Sequence, residues 1–256
     1  MTKKIYAWVL ALGFVGIGTL TVWAAAPSGD SNGPIQVTAN VLTYDRDSQL
    51  LNASGQVIAT QGNDTLKGDL MEYHLDSQNG FVTGNVIVNR AGGVMTAARV
   101  DLRGGDTYIA SGGVFYQSPT ESFSAPWLEY TVSTQFVRTQ GRTKLVRSDG
   151  VIWADQMEGS QRTGNMIARG NVDFQSDLHQ VTGSGDRLDY QKSGDNQGTV
   201  VLTGNAQLIQ RGKNTLTGPK IRMNLDTGLA EAEGRPTLIF TPENRPASTG
   251  SPEISK

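Results

Sequence analysis

ANVLTYDRDSQLLNASGQV, residues 39–57, has the layout of a strand, a turn and a second strand. Side chains two apart along a strand share a face. Leu42 and Tyr44 therefore give the first strand an apolar side, and Ala53 and Val57 do the same for the second. DRDSQ between them, residues 45–49, is turn chemistry. This hairpin decides the fold because the chain repeats it.

A small residue opens the first half of each copy: Ala39, Gly68, Ala97, Ala125, Ala154, Gly185 and Gly218, at spacings of 29, 29, 28, 29, 31 and 33. Three positions on sits an apolar residue: Leu42, Met71, Val100, Leu128, Met157, Leu188 and Ile221. Five positions on come Tyr44, Tyr73, Leu102, Tyr130, Gly159, Tyr190 and Met223, so only Gly159 breaks that column. A second glycine anchors the other half, at Gly55, Gly84, Gly112, Gly141, Gly170, Gly204 and Gly234. Its apolar neighbours at alternate positions include Val57, Val86, Val88, Val114, Tyr116, Val172, Phe174 and Leu208. Seven units of about thirty residues, each two strands and two turns, predict a serial β architecture of about 14 or more strands. The connections are too short for crossover helices, so neighbouring strands are expected to be antiparallel. No pair of units is marked to close a barrel, which leaves the stack open at both ends with two unpaired edges.

The rest of the composition mostly excludes. A formal net charge of -2 gives no electrostatic case for nucleic acid. With no cysteine there is neither a disulfide framework nor thiol chemistry. His74 and His179 lie in different units without metal-ligand spacing and read as surface or turn histidines. Asp69, Asp155 and Asp186, and Glu72, Asp101, Glu129, Glu158 and Asp189, fall outward by alternation and read as solvated, edge-protecting charges. Ser184 and Asp186 lack a nucleophile elbow, and Gly212-Lys213 lacks the upstream glycine of a phosphate loop. Arg138, Arg142, Lys144 and Arg147 form the densest cationic group, which suits a solvated hairpin face or, alternatively, an anionic ligand. No catalytic residue, metal or cofactor is assigned, and the chain is not read as an enzyme.

Lys3 and Lys4 precede an uncharged apolar run ending in VWAAA, the layout of a secretory leader. Residues 1–24 are expected to be a signal peptide cleaved after Ala24; an uncleaved anchor is the competing outcome, since some 20 apolar residues also span a bilayer. Residues 25–34 form a flexible lead-in, 35–241 the repeat, and 242–256, with three prolines, a disordered tail.

The small-Asp-x-apolar-x-Tyr opening, the A-x-G-x-V second strand and the link from Gln61 to Asp69 resemble the OstA-like repeat of the LptA family of lipopolysaccharide transport proteins. The resemblance runs from about Ile35 to Phe240, and the section from Phe123 through Asp155 is more similar to LptC. It implies an OstA-like β-jellyroll, open at both ends, that shelters lipid A acyl chains in an apolar groove and helps bridge the inner and outer membranes from the periplasm. The groove residues it implies are the inward columns: Leu42, Tyr44, Val57, Met71, Tyr73, Val86, Val88, Val114, Tyr116, Leu128, Tyr130, Val172, Phe174, Leu188, Tyr190 and Leu208. The first strand, with Ile35, Val37, Ala39 and Val41, is the expected docking edge. Expected partners are lipopolysaccharide, inner-membrane transporter-associated Lpt proteins, an outer-membrane LptD-like barrel and further copies of the chain head to tail. A structural β-solenoid scaffold of the envelope, without lipid, is the alternative.

Overall fold

The computed structural model describes residues 34–240 apart from 91, 149, 195, 196, 211 and 212. The expected leader, nearly all of the lead-in and the tail lie outside the described residues. Among the described residues every strand pairing is antiparallel, and eighteen strands build fourteen rungs of one ladder. The first rung is β1 (Gln36–Thr38) and β2 (Val41–Asp45), both laid against β3 (Leu50–Gln61). Then β4 (Asp64–His74), β5 (Asn79–Arg90), β6 (Gly93–Arg103), β7 (Thr107–Gln117) and β8 (Glu121–Thr131) follow in chain order. The next two rungs are each in two pieces. They are β9 (Phe136–Gln140) with β10 (Thr143–Arg147), and β11 (Gly150–Ala154) with β12 (Gln156–Ser160). Beyond them come β13 (Met166–Ser176), β14 (Val181–Gly194), β15 (Gln197–Gln210) and β16 (Asn214–Asn224). The last rung is β17 (Ala230–Glu233) and β18 (Thr237–Ile239), both on β16.

Every rung bends once, at its anchor residue. In β3, β5, β7, β13 and β15 the register slips at the repeated glycine, where the strand carries one residue more than its neighbour. The slip is a pair of left-handed residues: Gly84 and Asn85 have φ of 81° and 48°, Gly170 and Asn171 73° and 45°. Glycine takes that conformation without steric cost and asparagine with little, which is why Gly-Asn recurs at this point. The small residues of the other column lie on the inside of the same corner: Ala97, Ala125 and Ala154 are buried, and a Cβ on Gly68 would strike Val82.

The bend divides the ladder into two arms. β1, β10, β11 and β18 belong to the first and β2, β9, β12 and β17 to the second; each long strand runs through both. Between the arms lies one continuous apolar core. The small residue expected to open each first strand therefore sits in the middle of its rung: β4 begins at Asp64 and passes its corner at Gly68. Likewise the expected strand from Ile35 to Val41 is two strands, parted where Asn40 N–H donates to Gly55 O at 2.8 Å.

Candidate functional site in the interior

Two inward rows face each other across the core. On the second arm, successive rungs align Tyr44, Leu51, Tyr73, Gly80, Leu102, Tyr108, Tyr130 and Val137. On the first, they align Ala59, Leu66, Val88, Met95, Tyr116, Phe123, Leu145, Ile152 and Phe174. Alternation makes both rows apolar, and the corner turns them toward each other.

Of the proposed groove residues, Val57, Met71, Tyr73, Val86, Val88, Val114, Leu128, Tyr130, Val172, Phe174, Leu188 and Leu208 are buried, and Tyr116 and Tyr190 are half-buried against the same cluster. Leu42 and Tyr44 are 45% and 51% exposed. Their parity is that of the others, since Leu42 stands opposite buried Ala53. They belong to the first rung, which has no described neighbour beyond it to complete the wall. At the proposed docking edge, Ile35, Val37 and Ala39 pack against the core, whereas Val41 is 58% exposed.

The interior is well filled. Two cavities lie where the free ends of the two arms meet, opposite the corner. One of about 90 Å³ is bounded by Leu145, Arg147, Ile152 and Phe174 on the first arm and by Met166, Leu188, Tyr190 and Val200 on the second. Another, of about 30 Å³, lies between Leu66 and Val88 on one side and Tyr73, Leu102 and Tyr108 on the other. The phenols along this mouth are drawn out of water: burial raises Tyr73, Tyr116 and Tyr130 above the usual tyrosine range. Tyr130 Oη donates to Gln161 Oε1 at 3.1 Å.

On four strands the last inward position of the first arm before the mouth is charged. Asp64 and Arg90 share parity with buried Leu66 and Val88, and the Arg90 Nε lies 3.4 Å from Asp64. Glu121 and Arg147 share parity with buried Phe123 and Leu145 and stand directly opposite each other. Burial pushes the Asp64 carboxyl up against the pull of Arg90, and Glu121 up to about 7 against that of Arg147. Sequence reasoning passed over Asp64, Arg90 and Glu121. Their parity with the apolar column is the signal that marks them as inward.

The cationic group read from the sequence is dispersed. Arg138 faces outward to Glu129 at 2.6 Å, Arg142 reaches Asp173 at 3.0 Å beside the corner, and Lys144 lies 5.7 Å from the Trp153 ring centre on the outer face. Only Arg147 turns inward. The outward carboxylates protect no edge, since their rungs are paired on both sides. Asp101 holds Arg99, Glu158 holds Arg169 and Asp189 holds Arg187, at 2.5–2.6 Å. Asp69, Asp155 and Asp186 clasp Asn85, Asn171 and Asn205 of the adjoining rung at the corner, at 2.6–3.2 Å. His74 is 3.5 Å from Glu72, and His179 borders the larger cavity from the turn after β13. Among the described residues no group of three or more metal-ligating side chains is gathered.

Bent rungs, two facing apolar rows and first and last rungs paired on one side only among the described residues define an open-ended β-jellyroll of the repeat class, with its candidate site between the arms. The family described as LptA/(LptD N-terminal domain) LPS transport protein matches residues 36–229, and the chain belongs to it. Among solved structures, LptH of Pseudomonas aeruginosa, the LptA homologous periplasmic component of the conserved lipopolysaccharide transport device, is 14% identical. The match covers 82% of this chain and 96% of that one, at a TM-score of 0.20. No curated protein matches the chain.

Proposed function

We propose that this chain is a periplasmic lipopolysaccharide-transport protein that carries acyl chains between its two arms. The observation that carries the reading is the pair of apolar rows, which run from rung to rung along the ladder and meet at a mouth opposite the corner. At about 0.8 kcal/mol per methylene, an acyl chain of a dozen carbons costs roughly 10 kcal/mol to expose to water, so an apolar interior removes the main barrier to crossing an aqueous compartment.

The shut interior sets the mechanism. A cavity of about 90 Å³ falls short of the roughly 300 Å³ at which ligand pockets begin. Acyl chains therefore enter by parting the arms at the mouth, with the corner as hinge. Glycine-containing left-handed pairs tolerate small changes there better than regular strand. Nothing in this movement sets a direction, so an energy source elsewhere in the transport apparatus must supply it.

Residues 1–24 export the chain in this reading. The end rungs β1–β2 and β17–β18 each leave one backbone edge free among the described residues, and such edges accept a further strand by β-augmentation. Inner-membrane Lpt proteins, an LptD-like barrel and further copies of this chain are the proposed occupants.

Photocrosslinking amino acids at Tyr73, Val86, Val172 and Leu188 should capture lipopolysaccharide in cells, and those at outward Glu72 and Asp189 should not. Equal capture at both sets, or capture at the outer set alone, refutes the carrier reading.

A further inference from the structure

The charged rim of the mouth is not explained by an acyl-chain interior alone. Asp64, Arg90, Glu121 and Arg147 occupy inward positions on an arm whose inward face is otherwise uncharged. Arginines elsewhere on the protein are differently placed. Arg99, Arg138, Arg169 and Arg187 lie on the outer face of the second arm, each with a carboxylate at 2.5–2.6 Å.

Arg90 is held loosely by comparison. Its Nε is 3.4 Å from Asp64, and its Nη1 is buried with no hydrogen-bond partner among the described residues. Arg147 lies on the same arm in the same inward position and borders the larger cavity directly. A guanidinium beside an apolar chamber matches an amphiphile whose chains go in and whose head bears phosphate, because its fork can bind two phosphate oxygens at once. A buried cation without a counter-charge is costly, which gives the adjacent carboxylates a role while the mouth is shut.

We infer that Arg90 and Arg147 receive the phosphate groups of the bound lipid's head, and that Asp64 and Glu121 occupy them until that anion takes their place. This rests on the reading that acyl chains enter between the arms. It adds a chemical requirement to that reading: the cargo must be anionic at the junction of head and chains.

The test measures binding of the full-length chain to purified lipopolysaccharide and to the same material with its phosphates removed by hydrofluoric acid. Arg90→Gln and Arg147→Gln should each weaken binding of the phosphorylated form about tenfold, the value of one charge-assisted hydrogen bond, and leave the dephosphorylated form unchanged. Asp64→Asn and Glu121→Gln unmask the arginines and should tighten binding of the phosphorylated form only. A merely structural rim would not produce that gain, and these variants keep the test decisive if an arginine variant does not fold. Inorganic phosphate alone should not bind measurably at millimolar concentration. Equal affinity of the unaltered protein for both lipid forms overturns the inference and leaves acyl binding standing. Arginine variants that weaken both forms equally also overturn it, as does inorganic phosphate binding as tightly as the phosphorylated lipid. Failure to bind either lipid form removes the carrier reading and this inference with it.

Discussion

Asn171 donates through its side-chain amide to the Asp155 carboxylate at 2.6 Å, joining two adjoining rungs at the corner. The same clasp recurs between Asp69 and Asn85 and between Asp186 and Asn205, both at 3.2 Å. In each copy the asparagine follows a glycine with φ between 72° and 81°, and a Cβ on that glycine would strike the aspartate. The corner is thus made by backbone conformation and then closed by side chains.

Gly170→Ala should lower stability by at least about 1–2 kcal/mol, the cost of a Cβ in left-handed backbone, before the clash with Asp155 is added. Gly113 offers the contrasting case, with φ of 85° and open space around it. Gly113→Asn installs the residue used at Asn85, Asn171 and Asn205 and should gain about 0.5 kcal/mol by restricting the unfolded chain. Urea denaturation of the two variants distinguishes them, and a shift in the same direction for both would be contrary to this account.

Leu128 is fully buried beneath the middle rungs. Leu128→Ala should cost about 2–5 kcal/mol, the range for deleting a buried leucine side chain in a packed core. A loss below 1 kcal/mol in the same denaturation measurement would mean that the arms collapse readily onto the space left.

Where two successive rungs are each in two pieces, the core holds two buried threonines. Thr139 Oγ1 accepts from Met157 N at 2.9 Å and lies 3.3 Å from Met157 O and 2.9 Å from Thr143 Oγ1. Thr139→Val keeps the shape but leaves the Met157 N–H without this acceptor. The expected loss is about 1–3 kcal/mol, with hydrogen exchange at Met157 accelerated relative to the long strands on either side.

Stability should fall as pH rises through the range from the usual glutamate value to about 7. Burial raises the Glu121 carboxyl to about 7, outweighing Arg147. Within that window the folded protein keeps a proton that the unfolded chain has released, and raising the pH removes the advantage. Asp64, raised by burial against Arg90, acts in the same direction. Comparing denaturation midpoints at pH 5 and pH 8 checks this: Glu121→Gln should show a smaller drop than the unaltered protein. An equal drop in both assigns the dependence to other groups.

The serial β architecture, its count of about fourteen or more strands and the inward columns were legible in the sequence, because strand alternation and a repeated anchor leave a period that survives drift. Tyr73, Val86, Leu128 and Leu188 needed nothing more than parity to be placed inside. The corner was not legible. Parity runs from Ala53 through Gly55 to Val57 unbroken, so the sequence reads as one straight strand where the backbone turns. Whether an inward residue is covered was also undetermined for Leu42 and Tyr44, since cover comes from the next rung and theirs is the last described at that end.

By itself, then, the sequence determined the ladder: serial antiparallel rungs in chain order and which face of each is apolar, because those depend on neighbours in the chain. Only the tertiary structure decided that each rung folds about a left-handed glycine, bringing two apolar rows face to face. Only it turned Asp64, Arg90, Glu121 and Arg147 toward the mouth. Those outcomes depend on which arm stands opposite, and the two arms of a rung meet through space at the ends farthest from the residue that joins them.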